Sequence, residues 1–288
     1  MNRAQLKSKF GYMRLLPNME AIFEQREAGT INPRKLVQAQ QRILERNGGK
    51  VFHDLATKVE RVQDIFDVSL RGSKDKISAR KVLLCVGAFT DHNNLLPYCT
   101  RLNCLYRGTV ACRIRIDRPE LLGELRQMPS VWFNSERHYD KSQTTPLVFY
   151  MMAPLLYPDG RYYLKLGYSN ESLKWPLHGP VEITEWFQQK NKKLGQELAD
   201  VARNFIAGLC TKNYEIDHCV ITATPNGYPY LDEVEPGLFV GLGGHGFAAK
   251  SSDELGRVLA TLACTGLWDC PFPRSWFGAQ VEKKLAHL

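Results

Sequence analysis

The chain has 288 residues and a mass of 32.8 kDa, which is enough to bury a substantial core in one large domain or two interleaved domains. Its 44% hydrophobic and 24% charged residues are ordinary for a globular protein, and no run approaches the ~18 consecutive apolar residues of a membrane span. The net charge of +8 is compatible with a plain basic surface or with an anionic ligand. We expect no nucleic-acid partner, because the basic residues are spread along the chain rather than clustered with aromatic residues.

The cysteines and the first residues restrict the class further. None of the eight cysteines forms C-x-x-C, and none has a neighbouring histidine that completes a zinc spacing. We therefore expect reduced thiols and no metal site. Met1 to Phe10 is basic and polar without an apolar core, so we expect no secretory signal.

The first third of the chain predicts a strand, a helix and then several strands. The β-prone run Ala21–Glu24 predicts a strand. Asn32-Pro33 is an N-cap followed by proline at the first helical position, and Gly48-Gly49 ends that helix. Its apolar positions are expected to face the core: Leu36, Val37, Ile43 and Leu44. Further strands are predicted at Val51–Phe52, Thr57–Val62, Ile65–Leu70 and Lys81–Val86, the last as a strand buried on both faces.

The middle of the chain has a different character. Gly108 to Asp117 alternates between apolar and polar residues, which is typical of a half-exposed antiparallel strand. The remaining predicted elements are a helix over Arg118–Met128, strands over Leu147–Met152 and Tyr162–Tyr168, and a helix over Asn191–Leu209.

The segment Asp217 to Leu262 reads as strand, turn, strand, glycine-rich loop and helix. Ser251 and Glu254 have the spacing of a capping box at the start of that helix. The loop matches G-x-G-x-x-G at Gly241, Gly243 and Gly246. Its context argues against a nicotinamide-binding fingerprint, because no second strand and no acidic residue about 20 positions on follow the helix.

The same segment resembles the closing part of the sarcosine oxidase family, which includes sarcosine/pipecolate oxidase and related FAD-dependent amine oxidases. The shared motifs are C-V-I-T-A-T-P-N, beginning at Cys219, and G-G-H-G-F, beginning at Gly243. The resemblance implies that Cys219 is bonded covalently to the flavin and that Gly243, Gly244, His245 and Gly246 lie against the isoalloxazine ring. His245 has two interpretations: it hydrogen-bonds near the flavin, or it is a loop histidine satisfied by backbone.

Two further segments resemble the same family. E-A-G-x-I-x-P, a helix, and the later G-A-F-T imply that the Val59 backbone contacts the adenine end of FAD and that Gly87 and Ala88 pack close to the cofactor. Taken by themselves, Val59 also fits plain core and Gly87 a tight turn. The segment Y-L-K-L-G-Y-S implies that Lys165 lies over the flavin as the site of oxygen activation. A fixed ammonium in a low-dielectric pocket stabilises the negative charge of reduced O₂; the alternative is an exposed lysine on an edge strand.

Two positions depart from the family pattern around the substrate. Ser169 stands where the sarcosine enzymes carry a substrate-site histidine. The carboxylate-binding lysine follows G-H-G-F directly in those enzymes, whereas here Ala248-Ala249 comes first. Lys250 therefore either takes that role through a longer loop or simply precedes the helix.

Together these features predict a mixed α/β fold, in which a doubly wound FAD-binding domain (1–95 and 191–288) is interleaved with an antiparallel-sheet substrate domain (96–190). The FAD-binding domain is expected to be incomplete, because Met1 aligns past the family's first βαβ unit. The expected function is oxidation by O₂ of the C–N bond of a secondary amine or an N-methyl or cyclic amino acid, sarcosine- or pipecolate-like, to an imine and hydrogen peroxide.

The alternative is a truncated, FAD-free chain without catalytic activity and with at most a binding role. Either way the expected state is a monomer whose partners are a small amine or amino acid and O₂. The final Ala286-His287-Leu288 resembles the S-K-L class of peroxisomal address and predicts a peroxisomal location, or otherwise a cytoplasmic one.

Overall fold

The structure is a computed structural model that describes residues 1–17, 19–90, 95–96, 100–135, 147–169 and 174–283. It confirms a mixed α/β fold with antiparallel sheets. In these described ranges, no helix has the length and apolar character needed to cross a bilayer. Within the same ranges, no cluster of three or more histidine, cysteine or acidic side chains is arranged to hold a metal ion.

The elements are numbered in chain order. The helices are α1 Arg3–Lys9, α2 Pro33–Arg46, α3 Pro119–Leu125, α4 Pro180–Gln188, α5 Lys192–Phe205 and α6 Ser252–Thr265. The strands are β1 Ala56–Val62, β2 Ile65–Leu70, β3 Lys76–Ala79, β4 Val82–Leu84, β5 Thr100–Leu102, β6 Leu105–Arg115, β7 Val131–Asn134, β8 Val148–Leu156, β9 Tyr162–Tyr168, β10 Trp175–Leu177, β11 Tyr214–Ala223, β12 Tyr230–Glu235, β13 Leu238–Leu242 and β14 Val281–Lys283.

The chain forms two compact units, each built from three stretches. The first unit comprises Met1–Thr30, Gly108–Trp175 and Trp186–Cys219. The second comprises Ile31–Arg107, Pro176–Glu185 and Val220–Leu288. The domain boundaries expected after residues 95 and 190 stay a prediction.

The first unit is organised on an antiparallel sheet. In this unit β6, β9, β8 and β7 lie side by side in that order, and β11 also pairs with β6. The alternation predicted for β6 is confirmed, because Cys112 and Ile114 on its inner face are fully buried. The core closes with three aromatic rings from β7, β8 and α5: Phe133 and Phe149 stack at 4.8 Å, and Phe205 meets both edge-on.

The described residues of the second unit form three small sheets. β1, β2 and β3 form an antiparallel meander, and β14 pairs with β5. In the third sheet β13 pairs antiparallel with β12 and parallel with β4. The loops that follow β4 and β13 therefore leave the same edge of this sheet, where open α/β sheets place their ligands.

Several predicted strands differ from the structure. β2 and β9 have the predicted bounds, whereas Ala21–Glu24 and Val51–Phe52 are not strands. Those two predictions are wrong because a short β-prone run is not stable without a partner strand. β4 is shorter than predicted and is not buried on both faces, since Leu83 is 40% exposed.

Helix α2 has the predicted bounds, but the predicted buried stripe is wrong. Val37, Ile43 and Leu44 are each about half exposed. The helix is defined instead by its ends, where Asn32 Oδ1 accepts from the Lys35 N–H at 3.2 Å and Gly49 closes the last turn. Amphipathic spacing therefore predicted the helix correctly but not its packing.

The predicted capping box of α6 is also wrong. The Ser251 hydroxyl turns back to donate to the Ala248 carbonyl, and it makes no cap bond to the helix. Glu254 forms a salt bridge with Arg257, three residues further along the helix, at 2.7 Å. The helix nevertheless buries the predicted face, with Val258 and Leu259 in the core.

Candidate active site

Strand β11 carries three functional groups on one face. Because side chains alternate along a strand, Glu215, Asp217 and Cys219 point to the same side. The Trp186 indole N–H donates to the Cys219 carbonyl at 3.0 Å and fixes the backbone there. The intervening His218 points the other way, with its Nε2 3.1 Å from Asn191 Nδ2.

An ion cluster links this face to the neighbouring strands. Arg113 on β6 donates from Nε to Asp217 Oδ1 at 2.9 Å and from its terminal nitrogen to Glu215 Oε2 at 2.8 Å. Lys165, the cross-strand partner of Arg113 on β9, has its Nζ 3.6 Å from Asp217 Oδ2. The Asp217 and Lys165 side chains are each 26% exposed. One carboxylate thus bridges two cations, which are partly shielded from water.

The cluster controls the ionisation of its neighbours. Burial alone would lower the pKa of Arg113, but the Asp217 and Glu215 carboxylates outweigh it and raise that pKa, so Arg113 stays a cation. Burial raises the pKa of the Cys219 thiol, Lys165 opposes that rise, and Asp217 adds to it. Lys165 Nζ lies 3.6 Å from Asp217 Oδ2, and Asp217 shares a strand face with Cys219 two residues on, so the ammonium lies on the side of the sheet to which the thiol points.

Tyr150 on β8 completes the group. Burial raises the pKa of its phenol well above the ordinary value, and the Cys219 and Asp217 charges raise it further. Tyr150 is the cross-strand partner of Gly167, and a Cβ placed on Gly167 would lie 2.7 Å from the phenol oxygen. The ring therefore covers the glycine, which explains the absence of a side chain at residue 167.

In the second unit, Gly87 and Ala88 directly follow β4. Gly87 has φ +56°, and a Cβ there would meet no atom of the described residues within 4 Å. Ala88 is buried against Tyr106 and Ile183. Val59 on β1 is 2% exposed within the core, so its side chain fits plain core. A tight turn with open space beside it is thus present at Gly87.

The glycine loop after β13 is packed against its own chain. A Cβ on Gly243 would lie 2.5 Å from Thr224 Cγ2, and one on Gly244 would lie 2.5 Å from Ala248 Cβ. Gly246 has φ +79° and approaches Ile221. These glycines are required by local packing, whatever ligand the loop contacts.

His245 is held within the same loop. It has φ 53°, which is uncommon for a residue with a side chain. Its N–H donates to the Thr222 carbonyl at 3.1 Å, and its Nε2 accepts from the Thr224 N–H at 3.3 Å. This is the arrangement of a loop histidine satisfied by backbone, and a role beside the flavin stays a prediction.

The two candidate substrate residues lie in different surroundings. The Ser169 N–H donates to the Val148 carbonyl at 2.9 Å just after β9, and the residue is half-buried. Lys250 is exposed in the turn before α6, with its Nζ 5.5 Å from the centre of the Phe247 ring. Their contacts with a substrate stay predictions.

Comparison with known families decides the class of this chain. The family model described as FAD dependent oxidoreductase (DAO) matches residues 1–262. The chain belongs to this family. No curated protein sequence matches this family member.

Three solved structures of the DAO fold are similar to this DAO-family chain. NikD, an unusual amino acid oxidase essential for nikkomycin biosynthesis, matches with TM-score 0.67 and 16% identity over 100% of this chain and 69% of its own. L-proline dehydrogenase from P. horikoshii matches with TM-score 0.59 and 15% identity over 85% of this chain and 58% of its own. Iminodiacetate oxidase from Chelativorans sp. BNC1 matches with TM-score 0.55 and 14% identity over 85% of this chain and 58% of its own. At these identities the likeness shows the fold.

The described residues fit the family's cofactor, FAD, in each unit separately. In the second unit, the open space at Gly87 lets the backbone approach a flat ligand at the carboxyl edge of β4 and β13. In the first unit, a partly exposed thiol at Cys219 lies in the field of the Lys165 ammonium, as a group that meets an electron-accepting ring should. Covalent attachment through Cys219 stays a prediction.

Asp217, Arg113 and Tyr150 were not predicted as site residues from the sequence. One signal was available: in a strand that contains Cys219, the acid two residues earlier must share its face. No local signal pairs Arg113 with Asp217, since the two residues lie 104 positions apart.

Proposed function

We propose that this chain carries the flavin-facing residues of an FAD-dependent oxidase for secondary amines or N-methyl or cyclic amino acids, sarcosine- or pipecolate-like. The products are the imine and hydrogen peroxide. FAD, when bound, accepts a hydride from the carbon next to the amine nitrogen and passes the electrons on to O₂.

The observation that carries this proposal is the placement of Lys165 and Cys219 on one sheet face of the first unit, with Asp217 in contact with Lys165. Lys165 is a partly shielded cation held by Asp217, and Cys219 is a thiol within its field. The reduction of O₂ by one electron creates a negative charge, and a fixed ammonium stabilises that charge best where water is scarce. On this proposal, Lys165 supplies the positive charge for oxygen activation.

The names of two similar structures support the choice of substrate class. L-proline and iminodiacetate, the compounds in the names of two of the similar enzymes, are both secondary amines. The contacts of Lys250 and Ser169 with a substrate stay predictions, each within its own unit; on our proposal Lys250 is the partner of a carboxylate. Both residues offer the right chemistry, a cation and a hydroxyl.

The first test is the covalent flavin. The full chain is incubated with FAD, precipitated with acid, and the pellet examined for flavin absorbance and for a flavin-bearing peptide. We expect acid-stable flavin on the peptide that contains Cys219, its loss in Cys219→Ala, and its retention in Cys210→Ala, which removes an exposed cysteine of the same unit. A colourless pellet from the parent chain would favour the FAD-free alternative.

The second test addresses the substrate and oxygen. Oxygen uptake and peroxide release are followed with sarcosine, pipecolate, L-proline and glycine. We expect turnover of the three secondary amines in preference to glycine, and a fall of at least about tenfold in the reaction with O₂ for Lys165→Met. Equal turnover of glycine would contradict the substrate class. The monomeric state and the peroxisomal location stay predictions, and residues 284–288 lie outside the described residues.

A further inference from the structure

The ion cluster of the first unit contains a residue that the proposed reaction does not yet use. Asp217 is the one acid in the described contacts that touches both Arg113 and Lys165. Its Oδ1 accepts from Arg113 at 2.9 Å, and its Oδ2 lies 3.6 Å from Lys165 Nζ. The two oxygens thus serve two different cations on two different strands.

This arrangement restricts Lys165. A free lysine side chain samples many rotamers and extends its charge into water. Here the ammonium is drawn back over β6 toward Asp217, which Arg113 in turn holds in place. Glu215 Oε2 accepts from a different nitrogen of Arg113 at 2.8 Å, so the bond from Arg113 Nε to Asp217 does not depend on Glu215. The cluster therefore fixes where the charge of Lys165 lies.

We propose that Asp217 is a positioning residue, which holds the Lys165 ammonium beside Cys219 and thereby sets how readily that thiol reacts. The role in flavin attachment and oxygen activation rests on the proposed function, but the coupling between Asp217, Lys165 and Cys219 does not. Asp217 acts through Lys165 and touches neither substrate nor cofactor on this account.

On this proposal, the effects of substituting Lys165 and Asp217 on the reactivity of Cys219 are not additive. The thiolate is the reactive form of cysteine, so each unit by which the thiol pKa rises lowers its reactivity at neutral pH about tenfold. The charged and titratable groups that act on Cys219 are Lys165, Asp217 and the Tyr150 phenol. Removing Lys165 should slow the reaction of Cys219, but only while Asp217 keeps the ammonium near the thiol.

The test uses the full chain without flavin and iodoacetamide as the probe. The thiolate forms a bond to the reagent's carbon and iodide leaves, while the thiol proton goes to solvent. The rate at Cys219 is followed by peptide mass spectrometry between pH 6 and about 10. Cys210, which is exposed, is the internal reference, and the fully buried Cys112 reports loss of the fold.

The comparison is the effect of Lys165→Met in three backgrounds. In the otherwise unchanged chain, Lys165→Met should slow the alkylation of Cys219 several-fold. The same substitution should have little or no effect on this rate when Asp217→Asn is present, and its full effect when Glu215→Gln is present. Glu215→Gln is the matched control, because it removes a carboxylate that contacts Arg113 but not Lys165. An equal effect of Lys165→Met in all three backgrounds would overturn the proposal.

A second variant covers the case in which Asp217→Asn does not fold, which rapid alkylation of Cys112 would reveal. Asp217→Ser removes the charge with a smaller side chain, and the same loss of the Lys165→Met effect is expected. This result is independent of flavin. If the chain fails to bind FAD and the coupling is still found, the proposed function is wrong and the positioning role stands. If the flavin binds and the coupling is absent, the positioning role is wrong and the proposed function stands.

Discussion

Gly167→Ala tests the packing of Tyr150 over the sheet most directly. A Cβ on Gly167 would lie 2.7–2.8 Å from three atoms of the Tyr150 side chain, whereas ordinary contacts begin near 3.4 Å. The ring would have to retreat by about 0.6 Å, and overpacking of this kind costs about 1–3 kcal/mol. The gain in backbone entropy from replacing glycine returns about 0.5–1 kcal/mol. We expect a net loss of up to about 2.5 kcal/mol in the free energy of unfolding.

The measurement is a urea titration against a matched control. Gly123→Ala places the same methyl group in the exposed middle of α3, where a Cβ meets nothing within 4 Å, and should stabilise the chain by about 0.4–1 kcal/mol. Combining Gly167→Ala with Tyr150→Leu should remove most of the penalty. A second readout is the phenol of Tyr150, whose pKa should fall toward the ordinary value once the ring is displaced. Stabilisation by Gly167→Ala equal to that of Gly123→Ala would refute the packing.

Two further predictions concern hydrogen bonds. His245→Ala should cost about 1–3 kcal/mol in the free energy of unfolding, because the buried Thr224 N–H loses its acceptor. The exposed control His53→Ala should cost almost nothing, and equal costs of the two substitutions in thermal melts would contradict this prediction. In Tyr163→Phe the bond from the phenol to Asp159 is lost; this bond lowers the pKa of Asp159 and raises that of Tyr163. The lowered pKa of Asp159 contributes stability above about pH 4, and the raised pKa of Tyr163 contributes stability below about pH 10. The difference in melting temperature between Tyr163→Phe and the parent chain should therefore be largest between these two pH values and shrink outside them.

The sequence predicted the strongly patterned elements and failed where packing decides. Clean alternation and aromatic content predicted β6 and β9, because side-chain period and burial agree there. Helix α4 was missed although its signals were present, with Pro180 and Glu182 in the first turn and Ile183 three residues before Trp186 on the inner face. The predicted strand Ala21–Glu24 shows the opposite error, since propensity alone supplies no partner.

The candidate site shows the same division. Family motifs predicted Lys165 and Cys219, and the structure places both on the sheet face that carries Asp217. Asp217 was not predicted, because its importance comes from contacts with Arg113 and Lys165 on other strands. The glycines of the loop that contains His245 show a further limit, since spacing alone does not separate ligand contact from close packing of the chain on itself.

Helices α2 and α5 each contain 14 residues, yet their amide hydrogens should exchange with deuterated water very differently. An isolated helix of this length is marginal in water, and α2 buries no residue, so its amides should exchange through local opening. Those of α5, which buries Leu198 and Phe205, should exchange only when the first unit opens as a whole. On heating, helix content should therefore fall in two steps, with residues 33–46 melting first.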